Sequence, residues 1–145
     1  FKQVQSLGIV RDADDNARAA FQSVCGALHK ADLPVPRQPM LTAGGVPTVT
    51  VMIAPDNESE GMLENIFLTA VKDDTAMPCV ETYFTCLADK QIQPDNRAKA
   101  KLHAFLASKP RSDLRLGEAA QKGYFPFDHP AFDQLRAFLR QLTTD

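Results

Sequence analysis

Residues 7–16 read LGIVRDADDN: an apolar run, then an arginine, then four carboxylate or amide side chains within five positions. The run from Val4 to Val10 has the composition of a buried strand, and it stops where the acidic residues begin. Asp14 or Asp15 can cap a helix from about Asn16 to Ala31, whose Ala17, Ala20, Phe21, Val24, Cys25 and Leu28 trace one apolar stripe. A strand ending in Asp12-Ala13-Asp14-Asp15 and feeding a helix is the opening half of a parallel α/β unit.

Working outward, Pro34, Pro36 and Pro39 break the chain, and Met40–Thr42 is a candidate short strand. TVTVMIA, residues 48–54, is the clearest strand, β-branched and set between Pro47 and Pro55. A second acidic loop, Asp56-Asn57-Glu58-Ser59-Glu60, follows it. Helical periodicity then runs from Met62 to Lys72, Val80 to Ala88, Asn96 to Ser108 and Leu116 to Lys122. Pro130 opens a last helix reaching Leu142, which Asp128 or His129 can cap. Strand, helix, strand and then helices predict a single α/β domain over residues 1–145, a small mainly parallel sheet flanked by helices. Two strands make a poor sheet, so the pattern also predicts a strand upstream of Phe1.

Composition narrows the function. The chain has 145 residues, 44% hydrophobic and 23% charged, with a formal charge of −2. Those proportions suit a globular core and supply no global positive field for nucleic acid or anionic lipid. No apolar run approaches the roughly 20 residues that cross a bilayer. Three cysteines, Cys25, Cys79 and Cys86, form no CxxC pair. Reduced thiols in a cytoplasmic protein are the expectation, each a small core residue of a helix.

Two acidic loops after two strands give the candidate site. If the strands are parallel, both loops open on the carboxyl edge of the sheet, where ligands of open α/β sheets bind. Asp12 and Asp14, two apart, can present carboxylates to one ion, with Asp56, Glu60 and Glu64 as further oxygen ligands. Mg²⁺ or Mn²⁺ is the expected cation, since one or two carboxylates and several waters suffice. Such an ion would let an acidic chain meet a nucleic acid. Helix and turn capping is the competing reading of every one of these side chains. Arg11 and Lys122 are candidate phosphate contacts, though Arg11 is read first as a partner of its neighbouring aspartates and Lys122 as a helix-terminal charge. His29 and His103 lack a metal partner one turn away, and His129 reads as a cap or turn residue. Tyr124, Phe125, Phe127 and Phe132 are expected to lock the last helix. Arg97, Lys99 and Lys101 alternate along a helix and read as a solvated surface. GxxxxGK[ST], GxGxxG and GxSxG are all absent.

LGIVRDADDN and its helix resemble the strand and DxD motif of Toprim domains. The ordered set LGIVRDADDN, APDNESEGMLEN and LGEAAQKGYFPFDHPAF is similar to a bacterial family of uncharacterised Toprim-like proteins related to the OLD-family nucleases. The resemblance implies a mainly parallel sheet, Mg²⁺-dependent phosphodiester chemistry, Asp12 and Asp14 as the DxD pair, and Glu60 or Glu64 as an added acidic ligand. The glutamate that such domains carry on their first strand has no counterpart, so the first strand–helix unit is expected to be missing. A non-catalytic Toprim-like module binding a protein or nucleotide is the alternative.

Overall fold

The computed structural model describes residues 4–143. The chain forms two compact units: the described residues of Phe1–Leu63 with those of Phe132–Asp145, and Glu64–Ala131.

The first unit holds the sheet. Strand β1 (Ser6–Asp12) runs parallel to β2 (Thr48–Ala54), in register from Ser6 opposite Thr48 to Asp12 opposite Ala54. Helix α1 (Ala17–Lys30) connects them, as a parallel pair requires. Odd-numbered side chains face α1: Leu7 and Ile9 pack with Val49, Val51 and Ile53 against Ala17, Ala20, Val24 and Leu28. Val49, Val51, Met52 and Ile53 are fully buried, each contributing about 1.5–3 kcal/mol. Gly8 faces the other way. A Cβ there would lie 2.3 Å from Leu142 and 2.9 Å from Phe138, both on α6 (Asp133–Thr143). Helix α6 therefore covers the even-numbered face, and only glycine permits so close an approach.

The outer edge of β2 is covered. Val49 exchanges two backbone bonds with Ala43, the Met40 amide donates to Val51 at 2.8 Å, and Asn57 serves Ile53. Met40–Thr42 is thus an edge cover for β2 through an isolated bridge at Ala43, and not the short strand its sequence suggests. Thr42 also meets the buried Thr50 hydroxyl at 2.8 Å, satisfying the one buried polar side chain among the described residues.

Helix α1 starts at Ala17. Asn16, extended at φ −159°, caps it by accepting from the Ala19 amide at 2.9 Å. Neither Asp14 nor Asp15 is the cap, because Asp14 is drawn away at φ +50° into a bridge with Gly61.

The second unit is helical: the rest of α2 (Leu63–Ala70), α3 (Met77–Asp89), α4 (Arg97–Ala107) and α5 (Leu116–Gln121). Its core joins Ile66, Phe67, Val80, Phe84, Leu102, Phe105, Leu106 and Phe125. Phe125 and Phe127 set their rings edge-on to Phe67 at 4.7 and 6.2 Å. They secure α2 and not the last helix, where Phe132 alone of that aromatic set is buried in the first unit. His129 Nδ1 accepts from the Ala131 amide at 3.0 Å and caps the single 3-10 turn Pro130–Phe132 that precedes α6.

Cys79 and Cys86 are exposed and Cys25 is half-buried, which corrects their reading as core residues; all three are free thiols. Burial pushes the Cys25 thiol up from its usual value, partly opposed by a backbone hydrogen bond. Lys101 is committed to Glu81 at 2.6 Å, leaving no three-residue basic segment. None of the described helices is long and apolar enough to cross a membrane.

Lys109 carries a testable electrostatic contribution. Its ammonium donates to Asp74 at 2.7 Å and sits 4.2 Å from the Phe105 ring centre. That hydrogen bond, with a second from the Ala76 amide, outweighs desolvation and holds the Asp74 carboxyl below its usual 3.8. A carboxyl lowered on folding stabilises above its unfolded value, and the contribution is lost as pH falls through the folded one. Lys109→Met is expected to cost about 1–2 kcal/mol at neutral pH. Urea unfolding at stepped pH should show the gap between native and variant narrowing below about pH 4. A gap independent of pH would leave only the ring contact.

Candidate site at the carboxyl edge of the sheet

Because β1 and β2 are parallel and end together, at Asp12 and Ala54, both acidic loops leave the sheet on the same edge. Backbone bonds then close one loop onto the other. Ala13 donates to the Ala54 carbonyl at 2.9 Å, Asp14 donates to Gly61 at 2.9 Å, and Gly61 returns a bond to Asp14 at 2.7 Å. Gly61 lies at φ +128°, a conformation side chains resist. Glycine at the end of NESEG is what lets the second loop fold back to the first.

The acidic side chains divide by what they already hold. Asp12 Oδ1 accepts from the Leu63 amide at 2.8 Å, at the first residue of α2. A carboxylate there satisfies an orphan amide and meets the positive end of a helix. No other hydrogen bond to Asp12 is present among the described residues, so Oδ2 is left for another partner. Asp14 and Glu60 are exposed beside the Asp14–Gly61 bridge. Asp14 also borders, with Arg11 and Asp15, a depression of about 260 Å³ against α1.

Asp56 is different. Its Oδ1 accepts from the Glu58 and Ser59 amides at 3.1 and 2.7 Å, and its Oδ2 from the Ser59 hydroxyl at 2.8 Å. Desolvation raises this carboxyl, and the Ser59 and Glu58 bonds more than reverse that, leaving it below the usual carboxylate value. Asp56 organises its own loop, with both oxygens accepting hydrogen bonds. Arg11 is exposed on β1 and makes no ion pair among the described residues, contrary to its expected pairing with the neighbouring aspartates. Glu64 and Lys122 belong to the second unit, Lys122 as the residue ending α5. Among the described residues no group of three or more His, Cys, Asp or Glu side chains is placed to hold a metal ion.

Asn57, which sequence reasoning left as an ordinary turn residue, clamps the site. It sits at φ +73°, where asparagine is tolerated. Its Oδ1 accepts from the buried Ile53 amide at 2.8 Å, and its side-chain amide donates to Gln134 of α6. The only signal in the sequence was an asparagine directly after Pro-Asp at a strand end.

Fold and site define a small parallel α/β unit with paired acidic loops at its carboxyl edge, accompanied by a helical unit. The chain matches the family described as "Protein of unknown function (DUF3226)" over residues 1–144, and it belongs to that family. Comparisons with curated proteins and with solved structures found no match.

Proposed function

We propose that the chain is a Toprim-like domain that binds Mg²⁺ or Mn²⁺, mostly as a hydrated ion, at the carboxylates of Asp12 and Asp14, with Glu60 on the neighbouring loop, and acts on phosphodiesters of nucleic acid. One observation carries the reading: the reciprocal Asp14–Gly61 bonds that close the two acidic loops on each other at the end of the parallel pair. The donor set suits a hard, hydrated cation, which keeps most of its waters and needs only one or two carboxylates. Asp12, whose Oδ1 is engaged by Leu63, would offer Oδ2 and Asp14 a second oxygen, with waters completing the shell. When bound, such an ion would polarise a phosphate oxygen and acidify a coordinated water. Arg11, exposed and without an ion pair among the described residues, is the phosphate contact of the first unit in this proposal. The resemblance of LGIVRDADDN to the DxD strand of Toprim domains and OLD-family nucleases supports the same assignment.

A second reading, a non-catalytic Toprim-like module for a protein or nucleotide partner, draws on the commitment of Asp12 Oδ1 to capping α2 and the enclosure of Asp56 in its own turn. Calorimetric titration with Mn²⁺ separates the two. The native chain is expected to bind saturably, and Asp12→Asn with Asp14→Asn to lose that binding while remaining folded. Binding that is equal in both, or absent from both, removes the metal. Mn²⁺-dependent cleavage of DNA or RNA, lost in the same double variant, would remove the non-catalytic reading.

A further inference from the structure

Helix α4 buries Leu102, Phe105 and Leu106. It presents Ala100, Ala104 and Ala107 on the opposite face, since residues two apart stand about 200° round a helix. Those alanines wall one side of a trough of about 630 Å³, and Val80 and Leu87 of α3 line the other, with Ile92 of the joining loop at one end. The trough follows about 16 Å of α3, from Ala76 to Leu87, and about 12 Å of α4, from Ala100 to Ser108. Tyr83 and Ile92 remain 54% and 52% exposed in it.

Among the described residues no carboxylate lines this trough. The side chains of Tyr83, Gln93 and His103 do line it, and no hydrogen bond to any of them is present among the described residues. Cations stand at the end where the two helices are joined. Arg97 precedes Ala100 and Ala104 by three and seven residues and shares their face, and Lys90 follows Leu87 and Tyr83 by the same intervals. Neither makes an ion pair among the described residues. Of the nearby acids, Glu81 holds Lys101 at 2.6 Å, and Asp89 stands about 200° round α3 from Leu87. That leaves Asp95, beside Pro94, as the one carboxylate against two cations at this end.

We propose that this trough binds the carboxylate of a long-chain fatty acid, its head group at the Gln93–Arg97 end and its chain laid along the alanine face towards Ala76 and Ser108. Sites for small molecules enclose roughly 300–1,000 Å³ of mostly apolar wall, with a few polar groups that fix orientation. The volume and lining here have that character. The long, narrow course between two helices suits a chain, and the small side chains of Ala100, Ala104 and Ala107 leave it room. Uncharged walls along that course disfavour any second charge, because an unpaired ion placed against them loses its hydration. The sign of the head group is set by Arg97 and Lys90, and the Gln93 amide offers a neutral donor beside them. All of these residues belong to the second unit, so the assignment stands apart from the cation reading at the sheet edge.

Calorimetric titration with dodecanoate, kept below its micellar concentration, tests it. The native chain is expected to bind dodecanoate saturably, and to bind dodecyltrimethylammonium, the same chain on a cationic head, about tenfold or more weakly. Arg97→Glu, at an exposed position, should weaken dodecanoate binding by about tenfold. Ala104→Phe, which fills the trough from the face opposite the core, should abolish it. Cys79 lines the trough and Cys86, seven residues along the same helix, does not, and both are exposed. Bound dodecanoate should therefore slow alkylation of Cys79 by iodoacetamide and leave Cys86 unchanged, which locates the ligand even if Ala104→Phe does not fold. A native chain that takes up no dodecanoate overturns the proposal. So does equal uptake of the cationic amphiphile, or binding that leaves Cys79 as reactive as before. Shielding of Cys79 that grows with protein concentration, without dodecanoate, would make a second copy the occupant and overturn it too.

Discussion

Phe138→Ala is expected to lower the unfolding free energy by about 3–5 kcal/mol. Phe138 is 2% exposed, and its ring tip lies where a Cβ on Gly8 would be, 2.9 Å away. It anchors the helix that closes the even-numbered face of a two-stranded sheet, and such a sheet has little stability without cover on both faces. A loss of this size is a large share of the roughly 5–15 kcal/mol that holds a domain folded. Neighbours relax poorly into the gap, because Gly8 has no side chain to move and Met52 and Thr50 are fixed by burial. Urea unfolding should show a lower midpoint with an unchanged slope. A loss under about 1 kcal/mol would mean that α6 contributes little to holding the sheet.

The sheet was legible because its two strands obey period two and stop at acidic turns. TVTVMIA is a strand over its whole predicted length, Thr48–Ala54, and the parallel pairing follows from the helix placed between the strands. The first strand lies two residues later than its apolar composition suggests, running through Arg11 to Asp12, because its pairing with β2 continues past the hydrophobic run. Helix caps were harder to place. Asp14, Asp15 and Asn16 are all competent caps, and the choice among them is made by the bond from Asp14 to Gly61, a residue 47 positions away. That same long-range bond joins the two acidic loops, and no local pattern announces it. Periodicity gave the later helices but not their grouping into a separate unit, which depends on contacts such as Phe67 with Phe125. The cysteines were misjudged for a related reason: a helical stripe read without its partner helix does not say which of two adjacent faces is covered.

The site's acidic side chains show the same dependence on distant partners. Asp12 and Asp56 look alike in the sequence, each within two residues of the end of an apolar run. One keeps an oxygen free while its other caps a helix start, and the other spends both oxygens on Ser59 and Glu58. Carboxylate oxygens that hold backbone amides fix loop shape, and the oxygens left beside them are the ones most open to a ligand. Loop rigidity therefore precedes any chemistry at this edge, and the residue that imposes most of it is uncharged.

Asn57→Ala is expected to cost about 2–4 kcal/mol, nearly as much as the core truncation, although Asn57 is only half-buried. Two losses combine. The Ile53 amide, fully buried on the outer edge of β2, is left without its 2.8 Å acceptor, a cost of about 1–3 kcal/mol. Alanine must also hold φ +73°, which adds about 1 kcal/mol. Asn57→Gly separates them, since glycine adopts that conformation freely and still lacks the side-chain oxygen. Its cost should fall below that of alanine by about 1 kcal/mol. Equal costs for the two variants would remove the backbone contribution, and a cost under about 1 kcal/mol for both would mean that water replaces the amide oxygen at Ile53. If Asp12 and Asp14 bind a hydrated cation beside Glu60, either variant should also weaken Mn²⁺ binding without touching a ligand, because Asn57 braces the loop that Gly61 returns to Asp14.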